Sequence, residues 1–274
     1  MIAYRATLDV PRELVVFVAG LLRAERRRRG TRTGTRALTC FWQAVLVTRW
    51  FRDRTDPARL GRDHGISRAT AYRYLDEGIA VLAACAPDLH EALKGAVDDG
   101  LPYVILDGKV VEADRCAEKT VSVKGKLIDL WYSGKAHQHG GNVQAIFAPD
   151  GFPLWVSDVA PGSHHDLTVA RDQVLGALYA AARHLPTLAD GGYDGAGRGV
   201  FTPLKKPDNG RDLHVDNQAF NMLLRALRCL GERGFALLTQ RWRTLQHITA
   251  SPSKIGDIAK AALTLVHFER GQLA

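Results

Sequence analysis

The hydrophobic positions in the first hundred residues recur with the spacing of amphipathic helices. Apolar residues fall three and four positions apart in four stretches, residues 11–22, 37–51, 58–75 and 79–96. Because this spacing places apolar side chains on one helical face, we predict helices in all four, the first opening at Pro11. The predicted buried side of the second helix comprises Leu38, Phe41, Trp42, Val45, Leu46 and Phe51.

The stretch 58–75 is predicted to divide into two short helices. Gly65 marks the turn, and Ser67 is the expected N-cap of the second helix. The side chains predicted to pack inward are Ile66, Ala71 and Leu75, and those predicted to project outward are Arg68, Thr70, Tyr72 and Arg73. A recognition helix needs hydrogen-bonding side chains on its outer face. The pattern favours a DNA-binding helix-turn-helix, with an ordinary pair of packed helices as the alternative.

A change from helical to strand patterns follows the acidic break Asp98-Asp99-Gly100, where we place a boundary between domains 1–98 and 99–274. Strands are predicted at residues 103–108, 142–147, 153–159, 185–188 and 200–204, and helices at residues 167–178 and 220–238. Residues 148–151, Ala-Pro-Asp-Gly, predict a hairpin turn. Residues 112–126 receive no assignment. Strands with interleaved and late helices indicate a mixed α/β fold behind an all-α domain.

Positive charge is concentrated near the N-terminus. The 274-residue chain carries a formal charge of +8, and residues 23–76 contain 14 Arg against 5 Asp or Glu. Such a surplus favours a polyanionic partner. The Arg-rich, Gly-punctuated segment 26–34, with Arg27 and Arg28, suits contact with a DNA backbone. A solvated linker is the alternative, and both roles are compatible.

Cysteine spacing and hydropathy bear on the compartment. Cys40, Cys85, Cys116 and Cys229 show no Cys-x-x-Cys spacing, which argues against a zinc ribbon and for reduced thiols. Residues 1–12 carry charges and a proline where a signal peptide needs an apolar core. The apolar stretches are far shorter than the roughly 20 residues of a membrane span. We expect a cytoplasmic protein without a membrane partner.

Three acidic residues form the main candidate site. Asp107 ends an apolar run, Asp166 ends a loop before a predicted helix, and Glu232 lies in the last predicted helix. Three carboxylates at one point repel unless cations intervene, and Mg²⁺ or Mn²⁺ prefers such oxygen ligands. Two divalent ions can activate an attacking oxygen and stabilise a leaving one. The pattern predicts metal-dependent phosphoryl transfer.

Each carboxylate also has an ordinary structural interpretation. Asp107 could be a turn residue at a strand end, and Asp166 could be a helix N-cap. Asp190 ends a similar apolar stretch, so it is a supporting residue or a replacement for Glu232.

Two glycines flank Glu232 in its predicted helix, Gly231 and Gly234. Each costs about 1 kcal/mol relative to Ala in a helix interior, which predicts close approach of this helix to the sheet or substrate. Arg228, one turn earlier on the same face, could orient Glu232 or contact phosphate, with a surface ion pair as the alternative.

Other polar residues are also candidates for binding roles. Lys135, Lys205 and Lys206 are candidates for contact with a DNA backbone, or else solvated surface residues. The histidines that invite a zinc site are His137, His139, His164 and His165. Their spacing matches no recognised zinc-ligand pattern, so a zinc centre is the weaker alternative.

Several motifs in the same order give the chain a family resemblance. They include residues 105–108 (Ile-Leu-Asp-Gly), 132–135 (Tyr-Ser-Gly-Lys), 161–167 (Pro-Gly-Ser-His-His-Asp-Leu), 190–193 (Asp-Gly-Gly-Tyr), 202–207 (Thr-Pro-Leu-Lys-Lys-Pro) and 232–235 (Glu-Arg-Gly-Phe). In these motifs the chain resembles bacterial insertion-sequence transposases of the DDE superfamily, specifically the insertion-sequence-5 family and its Harbinger-like relatives.

The resemblance implies a ribonuclease H-like catalytic core in which Asp107, Asp166 and Glu232 are the catalytic and metal-binding residues, holding two Mg²⁺ or Mn²⁺ ions. It implies an N-terminal helix-turn-helix that recognises terminal inverted repeats, DNA cleavage at the element ends and strand transfer into target DNA. A homodimer or higher oligomer on nucleoid DNA is expected. The alternatives are an inactive or domesticated transposase that only binds specific DNA, and a ribonuclease H-like nuclease or resolvase.

Overall fold

The structure is a computed structural model that describes residues 7–122, 124–207 and 212–273, and for Glu232 it describes only the backbone. Residues 1–6, part of the segment used to exclude a signal peptide, and residue 123 of the unassigned segment lie outside it. The chain forms two compact units. The first comprises residues 1–86, 239–246 and 257–274, and the second residues 87–238 and 247–256. Among the described helices, none has the length and apolar character needed to cross a membrane.

The first unit is helical. Its elements are α1 (Arg12–Arg28), α2 (Cys40–Asp53), α3 (Pro57–Asp63), α4 (Arg68–Ala83), a 3₁₀ helix (Arg243–Gln246) and most of α9 (Ile255–Glu269). Its core is apolar and includes Leu14, Leu22, Leu46, Phe51, Leu82 and Trp242, all fully buried. Phe51 and Trp242 meet edge to face, and Phe17 stacks on Phe268. These contacts bring together pieces that are distant along the chain.

The basic segment 26–34 begins inside helix α1. Arg26, Arg27 and Arg28 form the last turn of α1, where positive charge is favourable near the helix C-terminus. Arg26 donates hydrogen bonds to the Leu38 carbonyl at 3.1 Å and to Gln43 Oε1 at 2.6 Å. The predicted linker therefore begins after residue 28, and Arg26 has an internal structural role.

The predicted buried side of α2 is wrong at two aromatic positions. Phe41 is 37% exposed and Trp42 is 53% exposed. Gln43 is fully buried instead, because its Nε2 donates to the Tyr74 carbonyl at 3.2 Å and to Glu77 Oε2 at 2.8 Å. The hydrogen-bonded side chain of Gln43 is therefore buried in the core, whereas Phe41 and Trp42, which were predicted to be buried, are exposed.

The predicted turn and cap between α3 and α4 are confirmed. Gly65 has φ +65°, and Ser67 Oγ accepts a hydrogen bond from the Thr70 amide at 3.1 Å. The predicted separate helix at 79–96 is wrong. Helix α4 continues to Ala83, and a new helix, α5 (Leu89–Asp98), starts after Pro87 with a capping box between Asp88 and Glu91. Pro87 cannot continue a helix, so the stretch 79–96 is divided between α4 and α5. The apolar spacing that predicted one helix therefore spans parts of two.

The second unit is built around a mixed sheet. Its strands are β1 (Val104–Glu112), β4 (Tyr132–Ser133), β5 (Gln138–Phe147), β6 (Pro153–Val156), β7 (Ala160–Pro161), β8 (Thr187–Leu188) and β9 (Val200–Phe201); β2 (Lys119–Val121) and β3 (Leu127–Asp129) form a separate hairpin. The order is β4-β5-β1-β8-β9, with β6 and β7 also paired to β5. Strand β5 runs antiparallel to β1, and β8 and β9 run parallel to it.

The helices of this unit flank the sheet. They are α5, α6 (Asp166–Gln173), α7 (Leu175–Ala181) and α8 (Val215–Arg241) up to Leu238. The predicted single helix 167–178 is interrupted at Val174, whose φ of −129° departs from helical geometry. The buried core includes Val104, Leu106, Ile146, Trp155 and Leu178. A curled mixed sheet with flanking helices fits the ribonuclease H-like core that the resemblance implies.

Candidate active site

Asp107 lies within the central strand β1 and is half-buried. Its Oδ1 accepts a hydrogen bond from the Gly108 amide at 3.0 Å. Burial raises the pKa of Asp107 to about 6, with Asp190 and Asp166 adding to the rise and Arg228 opposing it. Carboxylates that repel one another in this way form a site suited to a cation.

Asp166 is the first residue of α6 and is only 9% exposed. The helix N-cap is His165, with no capping side chain, so the alternative interpretation of Asp166 as an N-cap is wrong. Its Oδ1 accepts from Asn142 Nδ2 at 2.8 Å and its Oδ2 from Lys135 Nζ at 2.7 Å. These bonds hold Asp166 towards the sheet.

Gly108 allows Asp166 to lie against β1 next to Asp107. A Cβ at position 108 would stand 2.6 Å from Gln144 Nε2, 2.8 Å from Tyr193 Oη and 2.9 Å from Asp166 Oδ1. A side chain at position 108 would displace the ends of these three side chains, so glycine gives them the room to approach β1. The structure thereby brings Asp107 and Asp166 together.

A buried chain of hydrogen bonds supports Asp166, and sequence reasoning missed it. Tyr193 Oη donates to Gln144 Oε1 at 2.5 Å, Gln144 Nε2 donates to Asn142 Oδ1 at 2.8 Å, and Asn142 holds Asp166. Burial, with the three nearby aspartates, raises the pKa of Tyr193 well above its ordinary value, so it stays a neutral donor. The available signal was the alternation in Asn142-Val143-Gln144, which puts two amides on one face of an apolar strand.

Asp190 precedes the 3₁₀ helix Gly191–Tyr193, and its Oδ1 caps that helix by accepting from the Gly192 amide at 2.8 Å. Its negative charge contributes to the raised pKa values of Asp107, Tyr193 and Lys135. Asp190 therefore belongs to the same electrostatic cluster as Asp107 and Asp166.

The side chain of Glu232 lies outside what the structure describes, but its backbone lies in α8. The two flanking glycines pack closely on the sheet, as their presence predicted. A Cβ on Gly231 would lie 2.8 Å from Ile105 Cγ2, and one on Gly234 would lie 2.7 Å from the Gly151 carbonyl oxygen. The position of residue 232 on a helix packed against β1 is compatible with a role in the cluster.

The remaining basic candidates of this unit have different settings. Arg228 lowers the pKa of Asp107, so its charge acts on the cluster. Lys205 pairs with Asp194 and Lys206 with Asp212, each at 2.7 Å, and both lysine side chains are at least 70% exposed. Both lysines are thus exposed and ion-paired, and their contact with a DNA backbone stays a prediction.

The basic candidates of the helical unit lie on exposed positions. Arg68 Nη2 donates to Tyr72 Oη at 3.4 Å, and Arg73 Nη2 donates to Thr70 Oγ1 at 3.1 Å, along the first two turns of α4. Arg27 is exposed on α1, and Arg28 pairs with Glu25 at 2.7 Å. The four α4 side chains therefore form two hydrogen-bonded pairs at exposed or partly exposed positions of its first two turns.

The acidic cluster fits a hard divalent cation in the chemistry of its donors. In the described part of the chain, no three His, Cys, Asp or Glu side chains form a complete ligand set. Mg²⁺ commonly takes only one or two carboxylates, with waters and phosphate oxygens completing its shell. Asp107 and Asp166 supply such oxygens, and repulsion between carboxylates favours a cation between them.

Comparison with known proteins leads to the family. No curated protein and no solved structure matches the chain. A family model described as DDE superfamily endonuclease matches residues 106–267, which include most of β1, Asp107, Asp166, Asp190 and α8. This match covers more than half of the chain and begins at the strand that carries Asp107, so the chain belongs to the DDE superfamily endonucleases.

Proposed function

We propose that this endonuclease is an insertion-sequence transposase of the insertion-sequence-5 and Harbinger-like kind. Membership of the DDE superfamily implies nuclease activity, a divalent metal and DNA as substrate. The observation that carries the proposal is the approach of Asp166 to β1 at Gly108, which sets the buried carboxylate of Asp166 in the electrostatic neighbourhood of the half-buried Asp107. The series of family motifs supports the finer assignment.

In the proposed site, Asp107 and Asp166 hold the metal, with Glu232 as the third ligand and Asp190 as its alternative. Two Mg²⁺ or Mn²⁺ ions, when bound, would activate the attacking oxygen and stabilise the leaving oxygen. Asn142 orients Asp166, since its amide donates to Oδ1 and leaves the other carboxylate oxygen to Lys135. Tyr193 and Gln144 fix the Asn142 amide in turn, so the carboxylate is preorganised.

The proposed reaction has two steps at one site. Water attacks the phosphodiester at an element end, the bond to the 3′-oxygen breaks, and a free 3′-hydroxyl results. That hydroxyl then attacks a phosphodiester in the target, and the strands are joined as the target's 3′-oxygen leaves. Lys135 is positioned to contact phosphate, because its ammonium group already lies 2.7 Å from Asp166 Oδ2 and its side chain is 66% exposed.

Recognition of the inverted repeats is assigned to the first two turns of α4. Arg68, Thr70, Tyr72 and Arg73 offer donors and acceptors for base edges and phosphates. Ser67 caps this helix and Gly65 makes the tight turn before it, as a recognition helix in a helix-turn-helix requires. Arg27 and Arg28 would add phosphate contacts.

A cleavage assay tests the proposal. Purified protein is incubated with DNA carrying the element's inverted repeats, with Mg²⁺ or with EDTA, and nicked and joined products are separated. We expect Asp107→Asn and Asp166→Asn to reduce both products at least about 1000-fold, since metal ligands act together. Whichever of Glu232→Gln and Asp190→Asn matches that loss identifies the third ligand.

The exposed Asp172→Asn is the matched control and should cleave normally. Cleavage unaffected by Asp107→Asn would overturn the site assignment. Specific binding without cleavage would favour a DNA-binding protein, and cleavage without joined products a nuclease or resolvase.

A further inference from the structure

A cavity of about 320 Å³ opens next to Asp166 in the second unit. Its wall includes Lys135 and Asn142, the two residues that hydrogen-bond the Asp166 carboxylate. Pockets for small organic molecules occupy roughly 300–1,000 Å³, so this cavity is at the small end of that range. It has room for one small planar group directly beside the proposed cleavage centre.

The lining of the cavity combines apolar walls with an aromatic ring. Val110 and Ile128 supply the apolar surface, and Tyr132 contributes a ring that is 38% exposed. The Tyr132 ring is held edge-on by His139, with ring centroids 5.1 Å apart and planes at 63°. A partly exposed and supported aromatic ring is the usual platform for stacking of an unpaired base.

Polar side chains also belong to the lining of the cavity. The Ser163 hydroxyl oxygen is buried and has no hydrogen-bond partner among the residues that the structure describes. Asp129 adds a carboxylate at the same wall, with its Oδ1 already paired to Lys119. A buried hydroxyl without a partner is costly unless a ligand satisfies it. Lys135, exposed over most of its side chain, supplies a cation for the attached phosphate.

We infer that this cavity binds one unpaired nucleotide of the DNA strand next to the phosphate being cleaved. The base stacks on Tyr132, its edge bonds to Ser163, and its phosphate lies towards Lys135. Taking a base out of the duplex costs a few kcal/mol, and an occupied pocket offsets that cost. The inference rests on the proposed DNA cleavage at the same site, and it adds that the enzyme distorts DNA locally.

The test uses a duplex with one bulged 2-aminopurine nucleotide, the matching fully paired duplex, and a duplex with a bulged abasic nucleotide. Binding to the full-length protein is measured in EDTA by anisotropy, together with 2-aminopurine fluorescence. We expect preferred binding of the bulged base, with its fluorescence quenched by stacking. Tyr132→Leu, which keeps an apolar side chain, should weaken that binding about 10-fold, the loss for one stacked base.

Two comparisons separate stacking from a general structural role. Tyr132→Leu should leave binding of the abasic duplex unchanged, and Tyr132→Phe should bind the bulged base like the wild type. Phe201→Leu replaces an exposed aromatic that does not line the cavity and should have no effect. The inference would be overturned if the protein bound the paired and bulged duplexes equally. It would also be overturned if Tyr132→Leu weakened binding of the abasic duplex as much as binding of the bulged base.

Further arms identify the ligand and separate this inference from the proposed function. Deoxyadenosine monophosphate should compete only at far higher concentration than the bulged duplex. Equal affinity would make the cavity a site for free nucleotides and overturn the assignment to DNA. If the protein binds the bulged duplex but cleaves no DNA, only the proposed function is contradicted. If it cleaves DNA with metal but does not prefer the bulged duplex, only the assignment of the cavity is contradicted.

Discussion

At the scale of single residues, Asp107 shows a conflict between function and stability. A metal ligand must be ionised, yet burial and neighbouring carboxylates raise its pKa to about 6. A raised folded-state pKa means that its stabilising contribution is present at low pH and is lost as pH rises through about 6. Without metal, the ionised cluster therefore destabilises the fold near neutral pH.

Replacing Asp107 by Asn should consequently stabilise the metal-free protein. We expect Asp107→Asn to raise the free energy of unfolding at pH 8 in EDTA by about 1–3 kcal/mol, since each pKa unit corresponds to about 1.4 kcal/mol. At pH 4 the gain should vanish. Urea denaturation at the two pH values measures it, with Asp172→Asn as an exposed control. An equal gain at both pH values would contradict the electrostatic cause.

Lys135 is expected to compete with the metal for Asp166. Its ammonium group bonds Asp166 Oδ2, and Asp166, Asp190 and Asp107 raise its pKa, so it remains charged. Lys135→Gln should tighten Mn²⁺ binding about 5-fold, as removal of a nearby positive charge requires, and weaken binding of duplex DNA. Calorimetric titration and anisotropy measure the two effects. Lys205→Gln, which alters the exposed pair with Asp194, should leave Mn²⁺ affinity unchanged.

At the scale of elements, the contact between α8 and the sheet depends on two glycines. Gly234 packs on the Phe147 ring and on the Gly151 backbone, so no larger residue fits without a backbone shift. This packing positions residue 232 relative to β1. The two glycines lower the intrinsic helix propensity of α8, but they allow the helix to pack close to the strand that carries Asp107.

Gly234→Ala should lower the free energy of unfolding by about 1–3 kcal/mol, the usual range for an overpacked contact, and should also lower cleavage activity. Gly95→Ala in α5 is the matched control, because a Cβ there meets nothing within 4 Å. That change should be neutral or stabilising by up to about 1 kcal/mol. Denaturation curves of both variants compare them, and equal destabilisation would contradict the proposed packing constraint.

Periodicity predicted most elements because local spacing reflects the buried face directly. Ser67, Gly65 and the hairpin at residues 148–151 were predictable from turn and cap chemistry. The hairpin of β2 and β3 was missed, since its strands are short and largely exposed and are joined by a cross-strand pair between Lys119 and Asp129.

The candidate site was predictable in part. Acidic residues at the ends of apolar runs indicated Asp107 and Asp190, but the support of Asp166 by Asn142 and Gln144 was not visible. A single sequence does not reveal which partner satisfies a polar residue in a strand. Whether Glu232 is the third ligand and whether residues 1–98 bind DNA remain predictions.

At the scale of the whole molecule, the surplus of Arg between residues 23 and 76 bears on binding of DNA. If Arg68 and Arg73 contact phosphates, each substitution should reduce the slope of log affinity against log salt by about one. We expect Arg68→Gln and Arg73→Gln to do so in anisotropy titrations from low to physiological salt. Arg270→Gln, at another exposed position of the same unit, should keep the wild-type slope.

The helical unit is assembled from three separated pieces of chain. Thr244 Oγ1 donates to the Trp50 carbonyl at 2.5 Å, and Thr264 Oγ1 donates to the Leu82 carbonyl at 2.9 Å, so late residues complete its core. During synthesis, this unit cannot finish folding until residues 257–269 have left the ribosome. Loss of those residues by an early stop codon would therefore damage the first-made helices as well, and a truncated copy is not expected to persist as a folded competitor for the same DNA.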